Sequence, residues 1–117
     1  MIGKLFGKKN QNNVPDFSEI DSQEKAEAAA KTGTLVPVHL MPLRFGGVDG
    51  VENIVYAPPI TVELKERNDD MVQDLLEQGK VASYSAIPQY KGNSFVPSSI
   101  VIKASGESVF EYTINIW

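Results

Sequence analysis

The sequence predicts an α+β fold: an antiparallel sheet packed against one principal helix, with a smaller helix at the amino-terminal periphery. Three observations lead there. Met71, Val72, Leu75 and Leu76 form one apolar stripe at helical spacing. Phe110, Tyr112, Ile114 and Ile116 alternate with Glu111, Thr113 and Asn115, as in a strand with one buried face. Glycine and proline punctuate the chain between such segments, so no element continues into the next.

Taken in order, residues 1–17 read as a flexible leader and residues 18–117 as one α+β domain. The leader holds Lys4, Lys8 and Lys9 without an amphipathic stripe, and it lacks the apolar run and cleavage site of a secretory signal. A first helix is expected over residues 21–31, capped by Ser18 or Asp21 and ended by Gly33. Its alanines bury little area, which places it at the periphery. Residues 34–40 are β-rich, with Pro37 pointing to an edge or irregular strand. Residues 44–50 hold three glycines and read as a loop, followed by a short strand at 53–56. Beyond Pro58-Pro59, residues 60–65 alternate apolar and polar, which predicts a half-buried strand. The principal helix is expected to start at Asn68 as N-cap, with Asp69 and Asp70 in its first turn, and to stop at Gly79. Strands at 81–87, 99–104 and 108–117 complete the sheet, the last two joined by a turn at Ser105-Gly106-Glu107.

Composition narrows the function classes. With 117 residues and a 42% hydrophobic share, the chain can build a core. No apolar run has membrane-spanning length. The absence of cysteine excludes disulfides, thiol catalysis and thiolate metal centres, and it fits a cytoplasmic protein. A net charge of −4 is opposite to the basic excess of nucleic-acid binders and suits a basic protein partner.

Chemistry-bearing residues are few. His39 is the sole histidine, which rules out a His-rich zinc site. Phe45-Gly46-Gly47-Val48-Asp49-Gly50 lacks the Lys-Ser/Thr pair of a phosphate-binding loop. Glu63, Lys65, Glu66 and Arg67 read as a solvated charge run, and helix-dipole complementarity accounts for Asp69 and Asp70. Arg44, Phe45 and Asp49 in the glycine loop, with Tyr56, Tyr90 and Trp117, are the candidate binding residues, because aromatic and Arg side chains anchor interfaces. No metal ligands and no cofactor site are expected.

The string His39-Leu40-Met41-Pro42-Leu43-Arg44-Phe45-Gly46-Gly47, followed by Glu52-Asn53-Ile54-Val55-Tyr56, resembles the DNA/RNA non-specific endonuclease domains of ββα-metal type found in bacterial polymorphic toxins. Gly79-Lys80-Val81, Tyr90-Lys91-Gly92-Asn93-Ser94 and Pro97-Ser98-Ser99-Ile100 continue the resemblance in the same order, so that it covers residues 35–104. The resemblance implies a general-base role for His39 and a divalent metal held by an asparagine of the following helix. This chain reads Pro59-Ile60-Thr61-Val62-Glu63 where that asparagine belongs, leaving Asn68 or Glu66 as the substitutes. The expectation is a degenerate, non-catalytic nuclease-like scaffold that binds a protein partner in a bacterial toxin–immunity setting. The alternative is a metal-dependent non-specific nuclease with His39 as base. The last strand carries no edge-protecting device near Trp117, which leaves it open to homo-oligomer formation.

Overall fold

A computed structural model describes residues 15–117. Its elements run α1 (Gln23–Lys31), β1 (Val36–His39), β2 (Ile54–Ala57), α2 (Ile60–Glu77), β3 (Ser83–Gln89), β4 (Ser99–Ser105) and β5 (Val109–Asn115). Short 3₁₀ turns at Leu43–Phe45 and Val51–Asn53 lie between β1 and β2. β1 and β2 form an antiparallel pair, with His39 opposite Ile54 and Val36 opposite Ala57. β3, β4 and β5 form a second antiparallel sheet with β4 in the centre. The α+β mixture is the expected one, and the sheet is divided into two. Among the described residues no helix is long and apolar enough to cross a membrane. Most of the expected leader, residues 1–14, lies outside the described residues. Phe17, at the expected end of that leader, packs edge-on against Trp117 at 5.8 Å.

The main departure from expectation is α2. Residues 60–65 form its first turns instead of a strand, because Pro59 occupies the N-cap position, where a proline costs no backbone hydrogen bond. The positions it buries are Thr61, Lys65, Asn68, Asp69 and Val72, a helical stripe in which most members are polar. An alternating apolar pattern in Ile60, Val62 and Leu64 concealed that stripe. Asn68 is therefore inside the helix, and its Nδ2 donates to the Leu64 carbonyl at 2.8 Å instead of capping. Asp69 and Asp70 sit far from the first turn, which carries Glu63, so the dipole argument for them fails. Lys65 is buried, not solvated. Gly79, at φ 73°, ends the segment as expected. In α1 the N-cap is Ser22, one residue beyond Asp21, its side chain accepting from the Lys25 N–H.

Two clusters hold the elements together. Val38, Val55 and Ala57 of the small sheet meet Ile100, Ile102 and Ile114 of the larger one. Val72 of α2 packs with Val81 and Ala104, flanked by Leu75, Leu76 and Phe110. Cross-strand register places Tyr84, Ala104 and Phe110 in one row beneath the helix. Phe110 thus packs in the sheet, whereas Tyr112 on the same strand face is 45% exposed.

Candidate functional site

A groove of about 400 Å³ opens between the end of β1, the loop after it and α2. Its polar lining is His39, Arg44, Lys65, Glu66, Asp69 and Asp70, with Pro37, Val38, Pro42, Leu43 and Val62 supplying apolar walls. Both anionic and cationic side chains therefore line one cleft.

The loop connecting β1 and β2 forms one wall, and Asn53 organises it. Its Nδ2 donates to the Met41 carbonyl at 2.9 Å and to the Val48 carbonyl at 2.8 Å. Its Oδ1 accepts from the Met41 N–H at 2.8 Å. A single buried carboxamide thus closes the loop at its neck and satisfies three backbone groups. The Phe45-Gly46-Gly47 string serves the same turn. Gly46, at φ 99°, closes the first 3₁₀ turn by donating its N–H to the Leu43 carbonyl. Gly47 leaves room for the Met41 carbonyl and Asn53, where any Cβ would collide. Held in this way, the loop exposes Leu43, Val48 and Val51.

Two polar side chains at the rim, His39 and Arg44, are paired. His39 Nε2 lies 2.8 Å from Asp49 Oδ1, so one ring nitrogen is engaged by the loop carboxylate. Arg44 contacts Asp70 Oδ1 at 2.8 Å and Gln73 Oε1 at 2.6 Å, tying the loop to α2. Its guanidinium also sits 5.4 Å from the Phe45 ring centroid. Phe45 in turn packs edge-on against Tyr84 at 5.2 Å.

Deeper in the groove wall lies a triad that sequence reasoning did not find. Lys65 Nζ donates to Asp69 Oδ2 at 2.8 Å and to the Tyr84 hydroxyl at 3.0 Å, and that hydroxyl donates to Asp69 Oδ1 at 2.6 Å. The Lys65 and Asp69 side chains are only 4% and 6% exposed. Burial pulls the Lys65 ammonium below the usual lysine range, against the opposing pull of Asp69. Burial also pushes the Tyr84 phenol well above its ordinary value, and its hydrogen bond to the Asp69 carboxylate adds to the shift. The one sequence signal for this cluster was the i, i+4 spacing of Lys65 and Asp69, legible only once both lie on one helix.

The site residues expected from sequence separate into groups. His39, Arg44, Phe45 and Asp49 come together around the groove and its loop. Tyr56 lies on β2 opposite Pro37 and is not among the groove residues. Tyr90 lines a separate apolar hollow with Ser94 and Phe95. Trp117 is half-buried, donating its indole N–H to the Val96 carbonyl at 3.0 Å beneath the Lys91 ammonium at 4.4 Å.

Among the described residues no three His, Asp or Glu side chains converge as a zinc-type site requires. Of the two substitute ligands, Asn68 is buried, its Nδ2 bonded to the Leu64 carbonyl and its Oδ1 without a partner among the described residues, and it is not among the groove residues, whereas Glu66 lines the groove. Comparison with known families, curated proteins and solved structures finds no match for the chain.

Proposed function

We propose that this protein is a non-catalytic, nuclease-like module of the bacterial cytoplasm that binds a basic protein partner in a toxin–immunity setting. The observation that carries this reading is the pairing of a rigid loop with an acidic helix face across one groove. The loop presents Leu43, Val48 and Val51 to solvent. Beside it, α2 exposes Glu63, Glu66, Asp70, Asp74 and Glu77, with Arg67 as its exposed base, because Lys65 and Asp69 cancel each other in the interior. Apolar contacts beside a predominantly acidic helix face make a docking surface that a basic partner recognises and finds quickly. The order of strand, glycine loop, strand and helix around His39 supports a ββα ancestry, and the pairing of that histidine with Asp49 supports a positioning role for it.

Two assays test the proposal. Purified protein is incubated with plasmid DNA and with RNA in Mg²⁺, Mn²⁺ or Ca²⁺, beside His39→Ala. No cleavage is expected from either, and cleavage abolished by the substitution overturns the reading in favour of the metal-dependent nuclease. In the second assay the protein is co-expressed with each of a panel of basic bacterial toxin domains, and growth is scored. Rescue that weakens in an E66K/D74K variant supports the acidic face of α2, while rescue indifferent to that charge reversal removes the face from the proposal.

A further inference from the structure

We infer that the free edge of β5 is a self-association surface, through which two copies of the chain pair antiparallel and join their three-stranded sheets into one. None of the β5 residues lines the groove, so the inference stands apart from the reading of that site.

The hydrogen-bond parity of the sheet defines what the edge offers. Ile116 donates its N–H to the Ser98 carbonyl at 2.8 Å, and the Ser108 carbonyl accepts from Gly106 at 2.9 Å. Even-numbered residues around β5 therefore aim their backbone groups at β4. Strand alternation then turns the N–H and C=O groups of Val109, Glu111, Thr113 and Asn115 outward. Among the described residues none of these outward groups has a backbone partner. The β4–β5 register runs unbroken from Ser99 opposite Asn115 to Ser105 opposite Val109, with no bulge and no proline, and β5 holds a single charge, Glu111. Edges of this kind template further pairing. The opposite edge is protected. The Ser105 carbonyl accepts from Ala82, which turns the odd-numbered residues of β4 toward β3 and leaves Tyr84, Ala86 and Pro88 facing out. Pro88 has no N–H to give there.

A second copy fits the β5 edge because the strand is complementary to itself. With a two-fold axis at Tyr112, Glu111 faces Thr113 of the other copy, Phe110 faces Ile114, and Val109 faces Asn115. No like charges meet. The outward pairs Glu111–Thr113 and Val109–Asn115 exchange the backbone hydrogen bonds, while the two Tyr112 rings lie at the closer, non-hydrogen-bonded position. This arrangement accounts for Tyr112. It shares the core-facing side of the sheet with Ile114, which is 1% exposed, yet it is itself 45% exposed at the edge.

Sedimentation equilibrium from micromolar to millimolar concentration tests the proposal. The wild-type chain is expected to shift from monomer to dimer. Thr113→Pro removes an outward N–H without touching the β4 ladder, and Thr113→Glu sets a second carboxylate against Glu111. Each should weaken the dimer by about tenfold or more. The double variant E111K/T113E should restore it, because lysine then faces glutamate across the axis. Circular dichroism establishes that each variant is folded, and T113E with its rescue suffices if the proline variant is not. A chain that stays monomeric throughout, or a dimer whose dissociation constant T113E leaves unchanged, overturns the proposal.

Discussion

Replacing Asp69 by Ala tests whether the triad in the groove wall is a coupled unit. The Lys65 ammonium and the Asp69 carboxylate are 2.8 Å apart and almost wholly withdrawn from water. Removing the carboxylate leaves a buried cation whose remaining partner is the Tyr84 hydroxyl, and that hydroxyl loses its 2.6 Å acceptor. Breaking one side of a buried ion pair costs about 3–5 kcal/mol. The neighbouring Asp70 supplies an internal control: its side chain is 69% exposed where it pairs with Arg44, so Asp70→Ala should cost only about 0–1 kcal/mol. The double variant K65M/D69L, which removes both charges and keeps apolar volume, should lose less than Asp69→Ala, its residual cost of about 1–3 kcal/mol coming from the Tyr84 hydroxyl left without its acceptor. Urea denaturation reads all three through the midpoint at constant m. Equal small losses for Asp69→Ala and Asp70→Ala would refute the argument, as would a double variant no better than Asp69→Ala.

Gly47→Ala should open the loop neck, because the added methyl meets the Met41 carbonyl; hydrogen exchange at the Met41 N–H should quicken while β4 keeps its protection. Asn68→Leu should raise the melting temperature, equivalent to about 1–3 kcal/mol, since the Asn68 Oδ1 is buried without a partner among the described residues; an unchanged or lower melting temperature counts against this. Alkaline titration should reveal Tyr84. Its folded-state pKa lies above the unfolded value of 10.0, so its contribution is complete below pH 10 and is lost as pH rises beyond it, at about 1.4 kcal/mol per pH unit. Lys65 acts oppositely, its lowered folded value letting stability rise with pH up to 10.5. Tyr84→Phe should therefore flatten the alkaline fall in denaturation midpoint, and identical slopes in both proteins would contradict the assignment.

The β elements were legible because each rests on local chemistry. Alternation in β5, the turn at Ser105-Gly106-Glu107 and the break at Pro58-Pro59 all act within a few residues. α2 was misread because the face it buries is polar. Thr61, Lys65, Asn68 and Asp69 look solvated in sequence, and their burial depends on Tyr84, a residue on another element with which Lys65 and Asp69 pair. The glycine loop was recognised as a loop, and its residues His39, Arg44 and Asp49 do meet at the groove. The long-range partners Asp70 and Gln73, which join Arg44 across the cleft, had no local signature. Neither did the three bonds of Asn53.

The Asn53 clamp has a consequence for how this surface can change. It grips the loop only through the main chain, at the Met41 N–H, the Met41 carbonyl and the Val48 carbonyl. Every residue type supplies those carbonyls, and all but proline supply the N–H. The side chains between the two gripped points are thus free of the clamp's chemistry, apart from the glycine that makes room for it. Leu43, Arg44 and Phe45 can be exchanged for other side chains while the neck stays closed. The loop is in that sense a cassette, and its recognition properties can be rewritten without redesigning the frame that carries it.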